Sequence, residues 1–221
     1  TAEETNIETV DADKTVIFKG KTVNPVPDFV DATVGLSRMN VLDGYLKYPD
    51  FDDADATVQV VKQDRNGTDV PTEVEFVSVA GTDAHYRFML ADVVNQQLKE
   101  IKFKGAEFDI NIVPSAKNLK DLGYFNGVLS QFESTFSPRT EDGKLYFYIG
   151  DAGGDRTKIL VNEAPDGEMT HEFHWPLDIV LRILRLGDNA NCVLSINAKG
   201  LLQIIVDSGI GTYTYLLPAK N

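Results

Sequence analysis

Apolar and polar residues alternate along much of the chain, which is the pattern of β-strands with one buried and one exposed face. We therefore predict ten strands, at residues 15–22, 32–38, 56–63, 72–80, 85–90, 144–150, 157–164, 192–200, 201–209 and 211–219. Apolar residues recur at helical spacing in only three segments, 38–48, 115–132 and 176–186. The pattern predicts an α+β fold, with antiparallel sheets because most linkers are too short for a parallel crossover.

The chain contains an internal repeat. When Leu42 is aligned with Leu177, an offset of 135, Asp43 falls on Asp178 and Lys47 falls on Arg182. Each copy reads as a helix, an acidic turn and three strands, so the order of elements repeats as well as the residues. We expect two similar domains, at 1–92 and 107–221, joined by a connector at 93–106.

The two copies differ in length before the repeated helix. The second copy has 70 residues between Glu107 and Leu177, whereas the first has 41 residues before Leu42. We therefore expect about 25 to 30 residues, a strand and a helix, to be missing from the first copy.

The predicted helices each carry basic residues opposite an apolar face. In 115–132 the apolar side consists of Leu119, Leu122, Phe125, Leu129 and Phe132, with Lys117 and Lys120 opposite. Segment 176–186 is apolar except for a narrow stripe of Asp178, Arg182 and Arg185. In 38–48, Met39, Leu42 and Leu46 are expected to face inward and Lys47 outward. Such cations are typical of a solvated helix face, and they also suit a surface that meets a polyanion.

Composition narrows the possible classes of protein. A hydrophobic fraction of 43% is that of a globular protein and argues against a disordered chain. No apolar run approaches the ~20 residues that a membrane helix needs. The formal net charge of −13 disfavours general binding to nucleic acid. The single cysteine, Cys192, lies in a predicted strand, where we expect a buried apolar residue, and fits a reducing cytoplasm.

Three segments resemble catalytic or ligand-binding motifs but lack essential residues. His171 and His174 have metal-ligand spacing, yet on a strand this spacing directs the two rings to opposite faces. Residues 50–55 lack the glycine of a calcium loop, and 150–155 lack the Gly-Lys-Ser/Thr of a phosphate loop. We therefore predict no enzyme, no cofactor and no metal site.

The order of elements resembles a known family. The two repeated strand-rich units, the extended segment 91–113 between them and the C-terminal segment 191–219 are similar to the DNA sliding clamps. The likeness is greatest to the polymerase processivity factor of T-even-type bacteriophages, and more distant to proliferating cell nuclear antigen.

The resemblance implies a ring of three two-domain subunits that encircles duplex DNA, with helices lining the hole. It implies that the helix cations face the DNA, namely Lys47, Lys117, Lys120, Arg182 and Arg185. The implied partners are double-stranded DNA, a DNA polymerase, a clamp loader and two further copies of the chain. No membrane is implied, and the expected location for a phage protein is the cytoplasm of its bacterial host.

The resemblance also implies how subunits join. In this family the last strand of domain one pairs with an edge strand of domain two in the next subunit. The matching segments are 85–90 and 157–163, and the residues expected at the interface are His85, Arg87, Met89, Ile159 and Val161.

Finally, the resemblance implies an apolar groove for partner peptides beside the connector and the C-terminus. The residues that match this groove are Val94, Leu98, Tyr215, Leu216, Leu217 and Pro218. Since adjacent residues of a strand face opposite sides, we expect one of Leu216 and Leu217 to be buried and the other exposed.

A different class of protein would also be strand-rich and acidic. A structural β protein of a virus, such as a tail or capsid component, or a carbohydrate-binding β-sandwich fits these properties. Neither alternative accounts for the recurrence of basic residues on the helices at the repeat-equivalent positions Lys47 and Arg182.

Overall fold

The computed structural model of the chain describes residues 3–11, 13, 15–98, 105–150, 153–187 and 191–220, with the side chains of 97 and 98 excepted. The chain divides into two compact units. Unit 1 consists of Thr1–Thr5 and Asn24–Phe103, and unit 2 of Asn6–Val23 and Lys104–Asn221. No helix in the described ranges is long and apolar enough to cross a membrane.

Strands dominate both units. In chain order they are β1 (Asn6–Val10), β2 (Ile17–Thr22), β3 (Thr57–Arg65), β4 (Thr68–Val77), β5 (Asp83–Arg87), β6 (Ile110–Ile112), β7 (Thr135–Glu141), β8 (Lys144–Ile149), β9 (Thr157–Asn162), β10 (Trp175–Pro176), β11 (Cys192–Ile196), β12 (Leu201–Asp207) and β13 (Gly211–Pro218). The α-helices are α1 (Met39–Leu46), α2 (Ala91–Leu98), α3 (Ala116–Leu129) and α4 (Leu177–Leu184). Short 3-10 helices occupy Pro27–Phe29 and Pro49–Phe51.

Unit 2 contains two antiparallel sheets and two helices over one core. Its larger sheet has the order β1-β2-β13-β12-β11-β6, and the smaller has the order β10-β7-β8-β9. Trp175, Phe136 and Phe147 are at most 1% exposed and belong to a cluster that also holds side chains of α3, α4 and the larger sheet. The sheets and helices of unit 2 are therefore held by a continuous apolar core.

Unit 1 has a three-stranded antiparallel sheet, β3-β4-β5, and a smaller core. Phe76 on β4 and Tyr86 on β5 are both 1% exposed. The rings of Tyr45 on α1 and Phe51 lie 5.7 and 5.5 Å from the ring of Phe76. Aromatic contacts thus fix α1 and the following turn on the sheet.

The structure contains the repeated order of elements that the sequence predicts. In unit 1, α1 is followed by the meander β3-β4-β5, and in unit 2, α4 is followed by the meander β11-β12-β13. The first strand of each meander begins at Thr57 and at Cys192, which differ by the predicted offset of 135. Turns at Asn66-Gly67, Asp142-Gly143 and Lys199-Gly200 connect neighbouring strands, as their sequences indicate.

Two predicted extended segments have a different conformation. Residues 32–38 are not a strand, and only Gly35 pairs there, in an isolated bridge to Met89. The connector is helical rather than extended over 91–98, while 99–104 lie outside the described residues. A Cβ on Gly35 would lie 2.5 Å from Val94 Cγ2, so a glycine at position 35 permits the close approach of α2.

Some of the predicted inward-facing residues are exposed. On α1, Met39 and Leu46 are 52% and 60% exposed, so the expectation that they face inward is wrong; Val41, Leu42 and Tyr45 are the partly buried positions. Phe132 is 84% exposed because α3 ends at Leu129, which takes Phe132 off the helix face.

Candidate nucleic-acid and subunit interfaces

Helix α3 presents two of the predicted cations. Ser115 caps the helix by accepting a hydrogen bond from the Asn118 N–H at 3.1 Å, and the Asn118 side chain accepts from the Ser115 N–H in return. Leu122 and Leu129 bury the opposite face. Lys117 and Lys120 are exposed on the first two turns. The fold therefore leaves both ammonium groups in solvent.

Helix α4 is short and almost entirely buried apart from its cations. Its buried residues are Leu177, Val180, Leu181, Ile183 and Leu184. Arg182 and Arg185 are exposed, and Arg182 Nη2 lies 3.3 Å from Asp178 Oδ2 one turn earlier. Both arginines lie at the C-terminal end of the helix, where the dipole favours positive charge.

Arg185 brings the basic residues of the two helices together. A Cβ built on Gly123 of α3 would lie 2.7 Å from Arg185 Nη2, so the guanidinium covers this glycine. Lys120 lies one turn before Gly123 on the same side of α3. Unit 2 thus has one basic face, formed by Lys117, Lys120, Arg182 and Arg185.

The ion pair on α4 has a counterpart on α1. Lys47 follows the last residue of α1, and its Nζ lies 2.7 Å from Asp43 Oδ2. Asp43–Lys47 and Asp178–Arg182 are related by the 135-residue offset, and both pairs have i,i+4 spacing. Lys117 makes a third pair of this kind, with Asp121. Exposed pairs of this type contribute only about 0.3–0.5 kcal/mol, so these cations can exchange an aspartate for another anion at little cost.

The two segments predicted to join subunits both lie at sheet edges. β5 is the last strand of the order β3-β4-β5, and β9 is the last of β10-β7-β8-β9. The Phe88 N–H donates to Thr72 O on β4, so His85 and Arg87, which alternate with Phe88, direct their backbone groups away from β4. Met89 differs, since its N–H and C=O are both bonded to Gly35.

On β9 the side chains of the predicted interface residues are not freely exposed. Ile159 is 5% exposed within the core of unit 2, and Val161 packs against that core. The Leu160 carbonyl accepts a hydrogen bond from Asn118 Nδ2 at 3.1 Å. A strand added to β9 would therefore meet the exposed side chains of Lys158 and Leu160 and the β9 backbone other than the Leu160 carbonyl, rather than Ile159 and Val161.

Neither leucine that β13 contributes to the predicted peptide groove is exposed. Leu216 and Leu217 are both 0% exposed, so the expectation that one of them is accessible is wrong. The reason is that both faces of β13 are covered at this point: Leu217 lies in the core of unit 2, where its carbonyl also accepts from Trp175 Nε1 at 2.9 Å, and Leu216 is buried on the opposite face. Tyr215 is half-buried beside the Phe18 ring, and Pro218 is exposed.

The connector residues of the predicted groove are only partly described. Val94 is half-buried on α2, next to Gly35 in unit 1. Leu98 ends α2, and its side chain lies outside the described residues.

The sequence singles out three residues of possible chemical reactivity, Cys192, His171 and His174, and their surroundings are ordinary. Cys192 is buried, and burial raises the pKa of its thiol to about 11, so it is protonated near neutral pH. His171 and His174 are not on a continuous strand: the His171 ring stacks on Phe173, and His174 forms a bridge to Lys220. His174 Nε2 lies 3.7 Å from Glu172 Oε1, within an exposed group of side chains.

Sequence reasoning missed one cluster of possible ligands. Glu75, Asp83 and His85 bring three donor atoms within 4.8 Å of one another. They lie on neighbouring strands, and the register that places Glu75 opposite His85 brings them together. Apolar and polar residues alternate on either side of residues 78–82, which indicates this hairpin. The sequence does not indicate the side-chain rotamers that bring the three donor atoms together.

Comparison with solved structures identifies the fold. The whole chain matches 90% of a chain from the A. fulgidus PCNA structure with the C-terminal region of FEN-1 bound, with a TM-score of 0.66 and 8% identity. It also matches 88% of PCNA from Thermococcus kodakaraensis, with a TM-score of 0.61 and 13% identity. A chain of the PCNA2-PCNA3 complex from Sulfolobus tokodaii is matched over 87%, with a TM-score of 0.62 and 13% identity.

These similarities are structural. No protein-family model and no curated protein matches the sequence. The chain therefore has the PCNA-type clamp fold, as its sequence pattern predicts, at sequence identities that establish the fold alone.

Proposed function

We propose that the chain is a sliding clamp, a non-enzymatic ring that encircles duplex DNA and tethers a DNA polymerase. The observation that carries the proposal is the basic face of α3 and α4 on a protein whose formal net charge is −13. The repetition of an Asp–cation pair on α1 adds to it, since both units then carry a cation at an equivalent position.

The distribution of charge suits sliding. Three copies would carry three times −13, or −39, formal charges, so the ring as a whole would repel DNA. Duplex DNA carries one negative charge per ~1.7 Å, and exposed lysines and arginines on the inner helices would attract it only inside the hole. Phosphate contacts carry no sequence information and exchange one at a time, which permits movement along the duplex.

We propose that three copies close the ring by strand addition between β5 of one copy and β9 of the next. Both strands lie at the ends of their sheets, and an edge strand readily accepts another strand. The contact is head-to-tail, which is the type that generates rings. His85 and Arg87 would supply backbone groups from β5, and residues flanking Ile159 and Val161 would supply them from β9.

The proposed partners are a DNA polymerase and a clamp loader, acting in the cytoplasm of a bacterial host if the protein comes from a bacteriophage. Among the β13 residues that match the peptide groove, the exposed one is Pro218, beside the half-buried Tyr215. The proposal that peptides dock at this end of β13 fails if the cognate polymerase binds a Pro218→Glu variant as tightly as the wild type.

The DNA-facing assignment can be tested with two variants of equal charge. One replaces Lys117, Lys120, Arg182 and Arg185 by alanine, and the control replaces four basic residues on β2, β3 and β8, namely Lys21, Lys62, Arg65 and Lys144. Both should remain folded, because exposed substitutions change stability by within about ±0.5 kcal/mol. Only the first should lose DNA-dependent stimulation of the polymerase, most visibly at low salt. Equal loss in both variants would assign the effect to net charge and contradict a DNA-facing surface.

A structural or carbohydrate-binding β protein remains the alternative class, and the shape of the particles distinguishes it. Negative-stain images should show rings with a hole wide enough for duplex DNA. Filaments or solid particles in their place would favour the alternative.

A further inference from the structure

A side-chain cluster on the exposed face of β4 and β5 has the arrangement of a metal site. The His85 Nε2 atom lies 3.1 Å from Asp83 Oδ1 and 3.9 Å from Glu75 Oε1. Two ligands that are each about 2.0–2.1 Å from a tetrahedral zinc ion lie about 3.3 Å apart. The three donors are therefore spaced so that small side-chain rotations would place a divalent ion between them.

Neighbouring side chains hold the three possible metal ligands in this orientation. Glu73 Oε1 lies 3.2 Å from His85 Nδ1, which is the position of the carboxylate that orients a metal-bound histidine through its second nitrogen. Gln59 Nε2 donates to Glu75 Oε2 at 2.5 Å, which leaves Oε1 directed at the imidazole. Arg87 Nε lies 3.3 Å from Glu73 Oε2 and holds that carboxylate in turn.

Charge in the cluster also favours a divalent ion. Glu73, Glu75 and Asp83 supply three negative charges, and Arg87 supplies one positive charge. Apart from the imidazole, the carboxylates outnumber the guanidinium by two charges, and Asp83 and Glu75 both face His85 Nε2. A 2+ ion at this point would neutralise the cluster and accept all three donors.

We propose that Glu75, Asp83 and His85 bind a divalent transition metal of the zinc type, with Glu73 as the residue that positions His85. His85 is 41% exposed, so the site is open and leaves room for water as a further ligand. Imidazole with carboxylates suits zinc better than magnesium or calcium, which prefer oxygen ligands alone. This proposal differs from the sequence-based prediction of no metal site, and it places the ion on the exposed face of the strand whose edge is proposed to pair with the next copy.

The test is a calorimetric titration of the full 221-residue chain with Zn²⁺ as the only added metal. We expect one ion per chain, and a loss of affinity of at least about tenfold in His85→Asn and in Asp83→Asn. Circular dichroism establishes that each variant is folded, which is expected because these side chains project from the sheet surface into solvent.

The matched control uses the other two histidines of the chain. A double variant, His171→Asn with His174→Asn, removes the group near Glu172 and leaves the hairpin intact. It should bind Zn²⁺ as the wild type does. The proposal is overturned if the wild type binds no Zn²⁺, if His85→Asn binds as tightly as the wild type, or if the affinity is lost in the control variant.

Discussion

Arg185 covers Gly123: a Cβ on this glycine would lie 2.7 Å from the Nη2 atom of the arginine. The contact joins α4 to α3 and brings a cation of one helix onto the basic face of the other. A glycine within a helix normally weakens it by roughly 0.5–1 kcal/mol relative to alanine. Because Gly123 has no side chain, the Arg185 guanidinium can lie directly against α3.

The first prediction uses this glycine and its neighbour one turn later. Gly123→Ala and Gly127→Ala should each stabilise α3 by about 0.5–1 kcal/mol, measured by urea unfolding. Only Gly123→Ala should also weaken retention on DNA, because the new methyl group displaces the flexible Arg185 guanidinium. A Cβ on Gly127 meets no atom within 4 Å, so that variant should retain DNA as the wild type does. If the two variants are retained on DNA equally, Arg185 does not contribute to the DNA-binding face.

The second prediction concerns the edge of β5. Arg87→Pro removes an N–H that points away from β4, and Arg87→Ala removes the same side chain while keeping that N–H. We expect Arg87→Ala to sediment as a trimer of about 73 kDa, three copies of the 24.4 kDa chain, and Arg87→Pro as a monomer. If Arg87→Pro is also trimeric, β5 does not pair with a neighbouring copy.

The third prediction concerns Trp175, which is 0% exposed and donates from Nε1 to the Leu217 carbonyl at 2.9 Å. Trp175→Phe should lower the free energy of unfolding by about 1–3 kcal/mol, since the carbonyl loses a buried donor. Tyr124→Phe is the control, because Tyr124 is 67% exposed and should change stability by less than about 0.5 kcal/mol. Equal effects in denaturant unfolding would show that the Trp175 bond contributes nothing to stability.

The fourth prediction concerns pH. Because burial raises the pKa of Cys192 to about 11, the reactive thiolate is scarce below that pH. A disulfide reagent at pH 8 should modify the native thiol on the order of a hundredfold more slowly than a free cysteine, whose pKa is about 8.5. The rate should rise as the pH approaches 11, and denaturant should abolish the protection. Rapid modification of the native protein at pH 8 would contradict the burial.

Nine of the ten predicted strands and the repeat were predictable because alternation and helical spacing are local properties of the sequence, whereas β1, β6, β7 and β10 were not predicted. The segments after Leu42 and after Leu177 each alternate between apolar and polar residues, so each three-stranded meander could be predicted from its own segment. Helix α2 was missed because the β-branched Val93 and Val94 resemble a strand, although Asp92 at the helix start and the glutamines favour a helix.

Properties that depend on pairing between distant segments could not be predicted. The pairing of β2 with β13 places Leu216 opposite Ile17, and at this point both faces of β13 are covered, since Leu217 lies in the core of unit 2 and Leu216 is also 0% exposed. Alternation alone therefore failed to predict that Leu216 and Leu217 are both buried. The same limit applies to the cluster around His85, since its ligands come from two strands and depend on their register.

The most direct test of the central claim is topological. The protein is threaded onto linear duplex DNA, both ends are blocked with bound streptavidin, and retention is measured in a high-salt wash. A sliding ring should stay on the blocked DNA, because salt screens phosphate contacts but does not open a closed ring. It should leave as soon as a restriction enzyme cuts off one blocked end. Loss of the protein in high salt while both ends are still blocked would contradict encirclement.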